Sequence, residues 1–214
     1  MPDDSNLVLK AAPLQAESPP IVLASRSGAR RALLDSARIR ADFQAADVDE
    51  HAIRDRCRTQ GLDASQTARA LARAKAGAIT APPGALVIGA DQILTCNGIW
   101  FDKPDNRDEA RRHLRYLRGQ PHVLHTAVVV MRDGCEIWGH VACPVLHMRD
   151  FSDSFLEHYL QGEGDAILAC VGCYRLEGMG IQLFSRIEGE YSAILGLPLL
   201  ALLEALRGQG IILQ

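Results

Sequence analysis

The sequence predicts an α/β fold built on a mixed β-sheet. Three observations carry that expectation. Apolar runs such as Ala85–Ala90, "ALVIGA", do not alternate with polar residues, as in strands buried on both faces. Segments with apolar residues at helical spacing lie between these runs. Asn97-Gly98 and Asp133-Gly134 are two-residue hairpin signals, which add antiparallel strands.

The elements follow in order. Ile21–Ser25, "IVLAS", is a short strand that feeds at once into the helix "SGARRALLDSA" with Ser27 as N-cap. "DVDE" follows a further strand and ends on Glu50. Ser65–Ile79 is a helix whose Ala68, Leu71, Ala72, Lys75 and Ile79 share one face, with Arg69 and Arg73 off it. The "ALVIGA" strand is read as ending on Asp91, and Asn97-Gly98 turns a hairpin. "KPDNRDEARRHLRYLRG" is a helix capped by Asn106, with Glu109 three residues on and Gly119 at its close. Two long strands joined at Asp133-Gly134 come next, then a short helix opened by Ser152 or Asp153. The last helix carries Pro198 in its first turn and Gly208 after its last.

A chain of 214 residues suffices for one sizeable domain or two small lobes sharing a core, and 48% hydrophobic residues argue for a filled core. The net charge of −3 offers no basic surplus for a nucleic-acid backbone. The longest apolar stretch, Ile194–Leu203, is too short to cross a bilayer, so no membrane partner is expected. Residues 1–20 are acidic and proline-rich and read as a loosely attached tail rather than a secretory signal, so a cytoplasmic location is expected. Residues 21–214 read as a single domain without repeats or linkers. Cys170 and Cys173 form a CxxC, but no second pair at matching spacing supports a zinc ribbon, and small buried hydrophobes are the favoured role.

Several charged groups break local rules. Asp91 caps a buried strand, Lys75 lies on a core-facing stripe, and Arg30 and Arg31 occupy the first turns of a helix, where the dipole disfavours cations. Lys103 stands just ahead of another helix, and Glu50 ends an acidic run. Cations near helix N-termini suit a polyanion, and carboxylates beside them need a bridging divalent cation. The combination points to a nucleoside triphosphate with Mg²⁺ or Mn²⁺.

"LASRSGARRALL", "DVDE", "ALARAKA", "VIGADQ", "FDKP", "LRGQPHVLHTAVVV" and "YRLEGMGIQLFSRIEGEYSAILGLPL" together resemble the Maf (septum-formation) family of nucleotide pyrophosphatases, over Ile21 to about Leu206. The resemblance implies an elongated mixed sheet flanked by helices, with two lobes around a central cleft. It implies hydrolysis of a nucleoside triphosphate to monophosphate and pyrophosphate, aided by a divalent metal, as house-cleaning of non-standard nucleotides. By the same resemblance Asp91 is the catalytic acid/base and a metal-side carboxylate, Glu50 lies near the metal and water, and Ser25, Arg30, Lys75 and Lys103 bind phosphates. It also suggests a homodimer. Two other roles within reach of these motifs are a non-catalytic nucleotide-binding regulator of cell division and an inosine or xanthosine triphosphate scavenger.

Three positions bear on the base. Gln92 and Glu177 resemble the branch acting on 7-methyl-GTP, whereas the thymidine/uridine-triphosphate branch has Thr and Gln there. Ala29 matches neither branch, which carry Trp and Arg respectively, and Gly28 stands where the family has proline. At neutral pH Glu177 is an acceptor only, and guanine presents two adjacent donors where uracil and thymine do not. The expected best substrate is therefore 7-methyl-GTP.

Overall fold

A computed structural model describes residues 14–214, so the first thirteen residues of the expected tail lie outside it. Among the described residues are eight strands and seven helices. They run β1 (Ile21–Ala24), α1 (Gly28–Ser36), β2 (Asp42–Gln44), α2 (Glu50–Thr59), α3 (Ala64–Gly77), β3 (Leu86–Cys96), β4 (Ile99–Phe101), α4 (Arg107–Leu117) and β5 (Pro121–Arg132). They continue with β6 (Cys135–Ala142), β7 (Val145–Met148), α5 (Asp153–Glu163), β8 (Phe184–Glu188), α6 (Tyr191–Ile194) and α7 (Leu199–Gly208).

The spine is the antiparallel pair β3–β5, in register from Leu86 opposite Arg132 to Thr95 opposite Val123. Each half of this pair carries its own edge strands, and that division makes two lobes. β1 runs parallel to the start of β3 and carries β2, while β4 joins only the end of β3. β6 lies along the second half of β5 and β7 along the first, with β8 beyond β7. The sequence suggests one unbroken strand after Asp133-Gly134. The chain instead breaks at Cys143-Pro144, because proline has no N–H for the ladder, although the Pro144 carbonyl still accepts from Leu124 N–H at 3.1 Å. Both hairpin dipeptides have positive φ at both residues, as two-residue I′ turns require.

One face of the spine buries Leu86, Ile88 and Ala90 against Leu34 of α1 and Leu202 and Leu206 of α7. Further along the same face, Leu94 packs with Leu114 and Leu117 of α4 and Leu156 and Tyr159 of α5. The opposite face sets Ile93, Ala127 and Val129 against Leu71 and Ala72 of α3. The N-terminal approach is tied down as well: Gln15 is buried, donates to the Arg40 carbonyl at 2.9 Å and accepts from Arg40 N–H at 2.6 Å.

Two local features position the cleft. α3 starts at Ala64 on a capping box in which Asp63 accepts from Gln66 N–H and the Gln66 side chain accepts from Asp63 N–H. It ends at Gly77, so Ile79 lies beyond the helix. α3 then presses onto β3 at Gly89, where a Cβ would collide with the Ala72 carbonyl and stand 2.9 Å from the Ala76 methyl. Only glycine allows that approach. The other feature is a gap. Asp91 does not end its strand; it is the middle residue of β3, in the stretch Gly89–Ile93 that pairs with β5 but lies between the end of β1 and the start of β4.

Two predictions follow from this packing. Gly89→Ala forces α3 off the sheet and should cost about 1–3 kcal/mol, the usual penalty for overpacking, read as a lower denaturation midpoint. An unchanged midpoint would mean that α3 can retreat freely. The second concerns His122, which is buried in the second lobe with Nε2 2.9 Å from the Tyr174 hydroxyl, and whose pKa burial pushes down from 6.5 to about 4. The unfolded chain then binds a proton that the folded chain refuses, so stability falls as pH drops from about 6.5 toward 4, by on the order of 3 kcal/mol for this group. His113 and His125, also lowered chiefly by burial, act in the same sense. Replacement His122→Phe should flatten part of that slope; an identical pH profile of stability would show that His122 contributes nothing to it.

Candidate active site

The gap in the sheet is the floor of a cleft of about 960 Å³ between the lobes. Every site residue expected from the sequence lines it: Ser25, Ala29, Arg30, Glu50, Lys75, Asp91, Gln92, Lys103 and Glu177. Arg31, considered with Arg30 in the sequence, points elsewhere and stacks on Phe43 at 4.2 Å.

Lys75 is the hub. It lies one turn beyond Ala72, so the close approach at Gly89 delivers its ammonium to Asp91, two residues along β3. Lys75 Nζ donates to Asp91 Oδ1 at 2.6 Å and pairs with Glu50 Oε1 at 2.8 Å. Glu50 is the first residue of α2, whose N-cap is Asp49. Burial pushes the Glu50 pKa up, but Lys75, with help from Arg54 and Lys103, outweighs it, and the net shift is downward. Asp91 is 4% exposed, and its second oxygen, Oδ2, is buried without a hydrogen-bond partner. A buried acceptor left free is costly unless something is meant to meet it.

Arg30 satisfies the open edge of the sheet. Its Nη1 donates to the Ala90 carbonyl at 2.9 Å and to Ser25 Oγ at 3.3 Å, and its Nε to the Gly196 carbonyl at 2.7 Å. It is fully buried. Burial lowers its pKa, opposed by the charges of Asp91 and Glu50. Gly196 has φ +101°, and a Cβ there would stand 3.1 Å from Arg30 Nε, so both backbone and space require glycine. Ser25 Oγ accepts from Ser27 N–H at 3.1 Å as well as from Arg30, which leaves its hydroxyl proton free to donate. Lys103, between β4 and α4, lines the cleft and is exposed.

The three base-side positions differ in freedom. The Gln92 amide nitrogen is committed to Thr126 Oγ1 at 2.8 Å and to the Ala193 and Ile194 carbonyls at 3.0 and 3.1 Å. It can offer a ligand only its oxygen. Glu177 is held by Arg175 at 3.3 Å, and Arg175 is held in turn by the buried Glu163 at 3.3 Å. Ala29 leaves open space on α1. Arg175, Glu163 and Thr126 escape a reading of the sequence. Thr126 lies in β5 and Glu163 ends α5, where nothing local marks them, and for the Arg175 loop only the spacing of "YRLE", an arginine two residues before the acid, hinted at a pair.

The cleft carries the features that a divalent cation needs. Lys75 occupies one oxygen of each carboxylate, leaving Asp91 Oδ2 and the second oxygen of Glu50 for a metal. No third His, Cys, Asp or Glu joins them in a metal-binding group among the described residues. Magnesium is commonly held in this way, by one or two carboxylates with substrate phosphates and water completing the shell. Cys170 lines the cleft, but burial pushes its thiol up to about 11, and burial raises Cys173 further, so neither is a thiolate at neutral pH. No helix among the described residues is long and apolar enough to cross a membrane.

Known proteins resemble this chain over most of its length. Residues 20–209 match the family described as Maf-like protein. A protein of Gluconobacter oxydans named nucleoside triphosphate pyrophosphatase is 54% identical over 189 residues, 87% of this chain and 93% of its own. One of the same name from Granulibacter bethesdensis is 51% identical, covering 87% and 95%. A third, from Rhodospirillum rubrum, is 48% identical, covering 94% and 100%. With a family match across nearly all of its described length and relatives at this identity, the chain belongs to the Maf-like family.

Proposed function

We propose that this protein hydrolyses nucleoside triphosphates to monophosphate and pyrophosphate. The observation that carries the proposal is Lys75 bridging Asp91 and Glu50, with Asp91 Oδ2 left free, inside a cleft lined by further cations. The activity named for the relatives above supports it. Asp91 takes a proton from water, the water oxygen bonds to the α-phosphorus, and the bond from that phosphorus to its bridging oxygen breaks. The electron pair leaves on pyrophosphate. Ser25 donates to a phosphate oxygen, while Arg30, through its remaining Nη2, and Lys103 offset charge on the departing group. Asp91 and Glu50 would hold the divalent cation, Mg²⁺ or Mn²⁺, which when bound would favour loss of a proton from water and separate the carboxylates from the phosphates. Lys75 holds the two carboxylates at close range.

For the base we infer a guanine preference, with 7-methyl-GTP the best substrate. Glu177, held by Arg175, supplies two acceptor oxygens to guanine's two adjacent donors, and methylation at N7 strengthens those donors. Gln92 adds only an acceptor. With Ala29 in place of an aromatic ring nothing on α1 stacks on the cationic base, so selectivity for the methyl group is modest.

Release of pyrophosphate from a panel of canonical and modified triphosphates tests the activity. Asp91→Asn should lose roughly 10²–10⁴ in turnover, the usual contribution of a positioned acid/base, while its unfolding curve stays cooperative. Turnover near wild type would remove Asp91 from the chemistry. Glu177→Gln should move kcat/KM toward UTP and dTTP at the expense of GTP and 7-methyl-GTP. The base reading fails if the ranking does not change, or if the wild type already prefers the pyrimidines.

A further inference from the structure

The cleft holds one more cation, on the loop between β1 and α1. Arg26 lies between Ser25 and Ser27, lines the cleft and is exposed. Most of the other cleft cations already have partners. Lys75 is spent on Asp91 and Glu50, Arg175 on Glu163 and Glu177, and Arg30 on the Gly196 and Ala90 carbonyls. Among the described residues, Arg26 and Lys103 make no such ion pair or side-chain hydrogen bond. Arg26 follows β1 and Lys103 follows β4, so they enter the cleft from different strands. Because β1 pairs in parallel with β2, Ala24 opposite Gln44, the loop carrying Arg26 runs beside the loop that leads to Glu50. Asp47 on that second loop also lines the cleft, exposed and without an ion pair among the described residues. Arg26 therefore sits on the carboxylate side of the cleft, and Glu177 belongs to the other lobe.

A cation already paired gains little from a new anion, because it must share or leave the old one. A free guanidinium can give a phosphate two parallel hydrogen bonds. We propose that Arg26 is a phosphate-reading residue: with Lys103 it grips the two phosphates that leave as pyrophosphate, and so favours triphosphates over shorter nucleotides. The proposal rests on the pyrophosphatase reading above and adds a specificity for phosphate number that none of the base-side residues supplies. Arg26 is exposed and, among the described residues, makes no side-chain hydrogen bond or ion pair, so its replacement should leave the fold intact.

The test uses the full chain as wild type, Arg26→Ala and Arg26→Lys, with Mg²⁺ present. Inorganic pyrophosphate and GMP are titrated by calorimetry, and GTP hydrolysis is followed at steady state. Arg26→Ala should bind pyrophosphate about tenfold more weakly, the scale of one charged hydrogen-bonding contact, and show a similar rise in KM for GTP. GMP affinity should hold, and Arg26→Lys should recover part of the loss. Unchanged pyrophosphate affinity in Arg26→Ala, or an equal loss for GMP, overturns the proposal. If pyrophosphate binding depends on Arg26 but the wild type releases none from any triphosphate, the phosphate contact stands and the hydrolytic reading falls.

Discussion

The cleft depends on one half-buried ammonium. Lys75 holds two carboxylates from different elements, Asp91 from the middle of β3 and Glu50 from the start of α2, each within hydrogen-bonding distance. The ammonium offsets the repulsion between the two carboxylates at this short range. The pair can form only because α3 lies unusually near the sheet, and that nearness needs Gly89. The absence of one methyl group on the spine of the fold therefore sets the distance at the reacting centre.

The sheet supplies the other half of the arrangement. A central strand does not ordinarily tolerate a carboxylate, but β3 has a stretch where β1 has ended and β4 has not begun. Asp91 sits there on a rigid strand with access to the cleft, and Arg30 satisfies the Ala90 carbonyl that the missing neighbour would have taken. Rigidity and access, which usually oppose each other, are obtained together by staggering the edge strands. Arg30 also reaches the Gly196 carbonyl ahead of α7, so one guanidinium ties the first loop, the spine and the C-terminal segment around the same cavity.

Much of this was legible in the sequence, and the reasons differ residue by residue. Lys75 could be read because a charge on the stripe of Ala68, Leu71 and Ala72 violates helical period. Asp91 could be singled out because it stops an apolar run, yet the strand continues to Cys96; the stagger of β1 and β4 that makes room for it is a property of topology, not of local pattern. The break at Cys143-Pro144 was carried by a proline inside an otherwise convincing strand, and β8 was hidden in an irregular stretch. Gln92 illustrates the limit best. Its side chain bonds Thr126 and the carbonyls of Ala193 and Ile194, and no local window connects position 92 with positions 193 and 194. The chain Glu163–Arg175–Glu177 was equally invisible, since it joins the end of α5 to a loop without period.

The central claim is that Asp91, steadied by Lys75, delivers water to the α-phosphorus. A single turnover in isotopically labelled water tests it most directly, because the position of the labelled oxygen records which phosphorus was attacked and by what. The label should appear in the nucleoside monophosphate in the first turnover. Label in the pyrophosphate would place the attack on the wrong phosphorus, and an unlabelled monophosphate in that turnover would mean that a protein oxygen, not water, had made the bond.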